Sequence, residues 1–314
     1  MNKSILIALL FSATAAFGGP PVTPTIVGAG VISTSLDETA AVFSPDGKAC
    51  YFAIKSPSTI SANVMVICES HLNNGKWSEP KIASFSGRFK DFSPSISPDG
   101  NKLFFVSNRP VNGKPAVDLW MVERKENGWG EPVNVGEPVN TAAAWELGCS
   151  MTNDGTLYYS SSGTDGNFDI YYSKWVDGKF EAPVRLDDSI NSEVSETNPF
   201  IAPDASYLLF VSTGRADVKN DGYPRADIYV SFFKDRKWTV AKNAGSSINS
   251  DAEESSPSVS RDGRKIYFTS ERNFIAMPVT PKLDYKTLQK NLNGLTNGLG
   301  NIYEVPATIL NDLK

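Results

Sequence analysis

One nine-residue motif occurs five times, and no other feature constrains the fold as strongly. ETAAVFSPD (38–46), DFSPSISPD (91–99), ELGCSMTND (146–154), ETNPFIAPD (196–204) and ESSPSVSRD (254–262) align without a gap. Their final aspartates are 53, 55, 50 and 58 residues apart, a period that suits one four-stranded β-propeller blade per copy. Behind each turn runs a strand rich in Tyr, Phe, Val and Ile: CYFAI, KLFFVS, LYYSS, YLLFVS, KIYFTS. Such residues fit a strand buried on both faces. A third strand follows in four copies (NVMVICES, VDLWMVER, FDIYYSKW, ADIYVSFF), then an outer strand containing proline or charge (KWSEPKIA, GWGEPVNV, KFEAPVRL, KWTVAKNA). Proline suits that outer position because it lacks the N–H of an inner ladder.

The fifth unit is one strand short. Asn301 to Pro306 matches a third strand, and no fourth follows. The missing strand is found at the other end of the chain. PTIVGAGVISTSLDE (24–38) parallels PVNVGEPVNTAAAWE (132–146), with Gly28 and Gly136 each ten residues before the acidic residue. The expected fold is therefore all-β, a five-bladed propeller over 19–314 with units 38–90, 91–145, 146–195, 196–253 and 254–306. An N-terminal strand around 24–32 completes the last blade and removes an exposed edge. Residues 274–300 interrupt that blade, and Tyr285, Leu288, Leu292 and Leu295 form a helical stripe that Asp284 can cap. A helix packed on its own blade is the reading preferred to a lid.

The first 18 residues, MNKSILIALLFSATAAFG, read as a signal peptide: Lys3, a short apolar run, and small residues before a cleavage point after Gly18. About 13 apolar residues are too few to span a bilayer, so a periplasmic or secreted location is expected, with no membrane span. Net charge is −5, which argues against a nucleic-acid partner. Cys50, Cys68 and Cys149 are an odd set for a disulfide framework. Cys50 and Cys68 fall on neighbouring strands, which leaves a bridge open.

The units SPSISPDGNKLFFVSNRP (93–110) and SPSVSRDGRKIYFTSER (256–272), with FDIYYSKWVDGKFEAPVRL (168–186), resemble the WD40-like propeller repeats of the TolB type. The resemblance covers nearly the whole chain after the leader. It implies an exported bacterial propeller, and it is specific for fold rather than for activity.

Function has one repeated candidate. An acidic residue stands eight before every turn aspartate: Glu38, Asp91, Glu146, Glu196 and Glu254. The first strand of each blade lines a propeller's channel, so these carboxylates are expected to ring one mouth. Arg109, Arg215 and Arg272 end the second strand at the same face in three copies. The eight residues admit three readings. They can be blade-to-blade latches. They can bind a ligand at the channel mouth, where such oxygens could hold a Ca2+. They can also supply the acid pair of a glycoside hydrolase. Regular repetition points to architecture, and Trp145 should point away from its neighbour Glu146. The single histidine, His71, gives no basis for a triad and reads as a turn residue. Asp165, Asn167 and Asp169 have calcium-loop spacing without the closing glutamate, and Asp217, Asn220 and Asp221 are weaker still. The expectation is a non-enzymatic module, without a cofactor, that binds a protein, peptide or glycan of the cell envelope. Its long loops (109–118, 163–169, 214–227, 274–300) would share the carboxylate face. A carbohydrate-active enzyme is the alternative.

Overall fold

The computed structural model describes residues 22–56, 64–163, 166–217, 225–273 and 282–314. The expected leader, 1–18, lies outside them. The chain forms five small antiparallel sheets arranged as the five blades of a propeller. The innermost strands are Asp37–Phe43, Asp91–Ile96, Glu146–Met151, Ser195–Ile201 and Glu254–Val259. Each pairs with a second strand: Ala49–Lys55, Lys102–Ser107, Leu157–Ser162, Tyr207–Thr213 and Lys265–Ser270. Third strands follow at Met65–Asn73, Asp118–Lys125, Phe168–Ser173, Ala226–Lys234 and Asn301–Pro306. Two-residue outer strands complete blades 1 to 4.

Blade 5 closes as the repeat pattern requires. Thr25 and Ile26 pair antiparallel with Glu304 and Tyr303. The Val27 N–H extends the ladder to the Ile302 carbonyl at 2.9 Å. Val27 and Ile32 are buried there, so the N-terminal strand contributes core as well as hydrogen bonds.

Burial on both faces of the second strand divides the core into five clusters, one between each pair of adjacent blades. In blade 2, Leu103 and Phe105 pack toward blade 1, while Phe104 and Val106 pack toward blade 3. This is the period-two alternation of a strand with both faces covered. Cys50 and Cys68 belong to the cluster between blades 5 and 1. The register sets Cys50 opposite Ser70 and Cys68 opposite Phe52, and all three cysteines are free thiols.

Every innermost strand carries a β-bulge two residues after its acidic residue. The residues there are Ala40, Ser93, Gly148, Asn198 and Ser256, with φ between 42° and 58°. The pairing register shifts at the same place in all five strands. A bulge bends its strand and resets which side chains face the channel. The turns into the second strands use Gly47, Gly100, Gly155 and Gly263 at positive φ, whereas blade 4 places Ala205 there at φ 60°. In each turn the aspartate caps its own loop, as Asp46 does by accepting from the Ser44 hydroxyl (2.6 Å) and the Lys48 N–H (3.0 Å).

The interrupting segment contains the helix Tyr285–Leu292, capped by Asp284, whose side chain accepts from the Thr287 N–H. The apolar stripe does not pack as expected. No helix residue is buried, and Tyr285 is 75 % exposed. His71 lies within the third strand of blade 1 rather than in a turn, and it is exposed.

Candidate functional site

All five repeated carboxylates are fully buried. Each innermost strand starts beside the segment that enters its blade, and the carboxylate turns into the gap between the two. In blade 4, Glu196 accepts from the Ser192 N–H (2.9 Å) and hydroxyl (2.6 Å), and from Ser212 across the strand pair (2.9 Å). Arg215 adds a charge-assisted bond at 2.8 Å and also donates to the Ile190 carbonyl. Blade 5 repeats the set with Glu254, Ser250, Ser270, Arg272 and the Ile248 carbonyl. Blade 2 repeats it with Asp91, Ser86, Ser107, Arg109 and the Phe85 carbonyl. The guanidinium also lies over a pair of aromatic rings each time: Phe105 and Trp120, Phe210 and Tyr229, Phe268 and Tyr303, with Phe89 as a third ring at Arg109. Charge, backbone carbonyl and ring faces together satisfy a buried ion pair that would otherwise cost several kcal/mol in desolvation.

The other two copies depart from this pattern. In blade 1, Ile54 and Cys68 replace the serine and one ring, and no arginine enters. Glu38 still has both oxygens satisfied, by the Thr34 N–H (3.0 Å) and hydroxyl (2.5 Å). Burial nevertheless raises its pKa, as it does that of Glu254. Nearby, Lys55 links Asp37 and Glu271, at 3.3 Å to each.

Blade 3 is the incomplete copy. Glu146 accepts from Ser161 at 3.1 Å, and its Oε2 is buried with no hydrogen-bond partner. Burial pushes its pKa up to about 8 against the pull of Ser161 and of the Thr141 N–H, and Asp118 of blade 2 raises it further. Gly163 stands where the arginine stands in blades 2 and 5; in blade 4 that position is Gly214 and Arg215 follows it. Trp145 points the other way, as strand alternation requires, and is 60 % exposed.

The channel's cavity lies toward the turn face, away from the carboxylates. It encloses about 930 Å3 of space, open solvent included. Its walls combine Phe43, Ile96, Met151, Phe200 and Val259 with serines from several blades. The bulge residues Ser93, Gly148, Asn198 and Ser256 lie on its inner side, where Asn198 donates to Ser256 at 2.8 Å. Arg261 stands at the mouth and reaches Asn153 of blade 3 at 3.4 Å. Blades 1, 2 and 4 have Pro45, Pro98 and Pro203 at this turn position. No carboxylate is among the described residues that line the cavity.

Among the described residues no group of three or more His, Cys, Asp or Glu is placed to hold a metal ion. Asp169 pairs with Arg185 at 2.6 Å, and Asp217 accepts from the Tyr229 hydroxyl at 2.6 Å. Asp165, Asn220 and Asp221 lie outside the described residues. Among the described residues no helix is long and apolar enough to cross a membrane.

No protein-family model matches the chain, and no curated protein matches it in sequence. Solved structures do match. An endo-arabinase from Bacteroides thetaiotaomicron aligns over 88 % of this chain and 96 % of its own, at 14 % identity and TM-score 0.49. An alpha-L-arabinofuranosidase from Lactobacillus brevis aligns over 88 % and 92 %, at 15 % identity and TM-score 0.46. A puromycin-hydrolyzing peptidase from Mycobacterium tuberculosis aligns over 84 % of this chain and 41 % of its own, at 11 % identity and TM-score 0.40. The chain thus spans less than half of that peptidase. At such identities the likeness concerns the propeller fold and does not extend to an activity.

Proposed function

We propose that this chain is an exported, TolB-like propeller that acts as a non-enzymatic binding module. In this reading its axial cavity recognises a peptide or protein segment, or a glycan, of the cell envelope. One observation carries the reading: the repeated carboxylates are consumed inside the blades, and the axial cavity has none among the described residues that line it. A glycosidase needs one protonated and one ionised carboxyl on either side of a substrate. Here three of the five are neutralised by arginine, and all five are shielded from solvent. The cavity instead offers apolar walls, hydroxyls and the cation of Arg261, a combination suited to holding an extended chain. Glu38, Asp91, Glu196 and Glu254, with Arg109, Arg215 and Arg272, serve the scaffold.

A second reading has one observation behind it. Glu146, with its raised pKa and Asp118 beside it, has the character of a general acid. It is fully buried and does not line the cavity. Peptide and glycan arrays probed with the purified protein, followed by product analysis on every hit, separate the two readings. Retention of intact ligand supports binding. Turnover abolished by Glu146→Gln would establish hydrolysis.

A further inference from the structure

Three blades show what their latch is built to receive. The guanidinium of Arg109, Arg215 or Arg272 meets one carboxylate, one serine, one backbone carbonyl and two ring faces. Blade 3 keeps most of this receptor, and among the described residues no cation enters it. Glu146 and Ser161 occupy the positions of Glu196 and Ser212, and Tyr159 stacks with Tyr171 (centroids 6.2 Å, planes 27° apart). The ring pairs under Arg215 and Arg272 have nearly the same geometry, at 6.0 Å with 25° and 5.9 Å with 24°.

The connection into blade 3 is also one residue longer. Asn191 and Asn249 each accept from an N–H near the start of a third strand, that of Ile170 or Ile228, from five residues before the carboxylate; Asn140 accepts from the Leu119 N–H from six residues before. The additional residue sets Thr141 back from Glu146: its N–H still pulls on the carboxylate, but the paired N–H and hydroxyl bonds that Ser192 and Ser250 give their carboxylates are not both made. The Oε2 of Glu146 is left buried and unbonded as a result. A buried, unpartnered carboxyl oxygen is costly, and here it faces a position that three sister blades fill with a guanidinium. In those blades the arginine side chain remains 10 to 16 % exposed, so the position borders solvent on the long-loop face.

We propose that the latch of blade 3 is a binding site for a guanidinium group supplied from outside the chain, the side chain of an arginine in a bound peptide. The group would donate to Glu146 and lie over Tyr159 and Tyr171. The site is on the face opposite the axial cavity and stands independently of what that cavity binds. Asp118 adds negative charge beside Glu146 and has Asn134 as its own partner at 2.8 Å.

Calorimetric titration of the full-length protein with agmatine, and with a short arginine-containing peptide, tests the proposal. Both should bind saturably, with the peptide tighter than agmatine if the natural source is a peptide. The citrulline peptide, equal in shape and uncharged, should bind at least tenfold more weakly. Affinity should rise up to tenfold per pH unit between pH 6 and pH 8, because the cation requires the ionised carboxylate. Glu146→Gln should weaken binding at least tenfold, and Gly163→Arg should abolish it by filling the position from within. Absence of saturable binding at millimolar agmatine, equal binding of the citrulline peptide, or unchanged affinity in Glu146→Gln would overturn the proposal. If Gly163→Arg does not fold, the isosteric Glu146→Gln variant decides the matter alone.

Discussion

Glu146→Gln should stabilise the protein at alkaline pH and leave it unchanged near pH 5. In the folded chain Glu146 titrates at about 8, against 4.5 for an unhindered glutamate. Between these values the folded state holds a proton that the unfolded state has released. Stability contributed at this position therefore falls as pH rises, by about 1.4 kcal/mol per unit, and the loss is complete above pH 8. The difference of 3.5 units sets a ceiling of roughly 5 kcal/mol for the accumulated loss. Glutamine mimics the protonated form at every pH and escapes it. The groups facing Glu146 are Asp118, Ser161, Thr141 and Tyr159, and they are identical in both proteins, so their own titration cancels in the difference. Urea unfolding at half-unit steps from pH 5 to pH 9 measures that difference directly. The variant should match the wild type at pH 5 and exceed it by several kcal/mol at pH 8.5, a shift on the order of 10 °C in Tm. A pH-independent difference, or a variant less stable than wild type at pH 8.5, would refute the assignment of Glu146 as a buried carboxyl without a counter-ion.

Three other substitutions probe the same framework. Arg109→Ala leaves Asp91 buried with only Ser86 and Ser107 as donors, and should cost about 3 kcal/mol in a urea titration at pH 7; a cost below about 1 kcal/mol would mean that the latch is not structural. Ala205→Gly removes a left-handed alanine from the only one of the five turns without glycine, and should gain about 1 kcal/mol, read as a raised unfolding midpoint. Gly148→Ala puts a methyl 2.8 Å from Asn198 Oδ1 and 3.0 Å from its Cα at φ 42°, and should cost about 2 kcal/mol; the other four copies carry side chains there, so it is the approach of Asn198 that demands glycine.

The architecture was legible because each blade repeats the same local signals. A turn aspartate followed in four copies by glycine, a strand of aromatic and β-branched residues, and the parallel spacing of Gly28 and Gly136 were enough to place the closing strand. The carboxylate positions and their three arginines were legible too. Their burial was not, because the bulge two residues along breaks the simple alternation from which an inward direction is read. A signal was present: Ala40, Ser93, Gly148, Asn198 and Ser256 include no β-branched or aromatic residue, unlike the strands around them. The serines opposite the carboxylates also escaped notice, although Ser107, Ser212 and Ser270 each stand sixteen residues downstream. The helix cap at Asp284 could be read from sequence, whereas the exposure of Tyr285 and Leu292 depends on what the helix meets in space. Nothing in the repeat pattern pointed to Arg261, whose meaning comes from its place at the mouth of a cavity that five distant segments build together.

The account rests on the axial cavity holding a ligand without converting it, and Ser95→Trp tests this most directly. Ser95 is half-buried on the cavity wall, and indole at this position would project into the cavity and narrow it. The measurement is a titration of the best array ligand into wild type and variant at pH 7, with product analysis of the same samples. The account predicts at least a tenfold loss of affinity in a variant of unchanged Tm, and intact ligand recovered from the wild type. Equal affinity in both proteins, or cleaved ligand with the wild type, would contradict it.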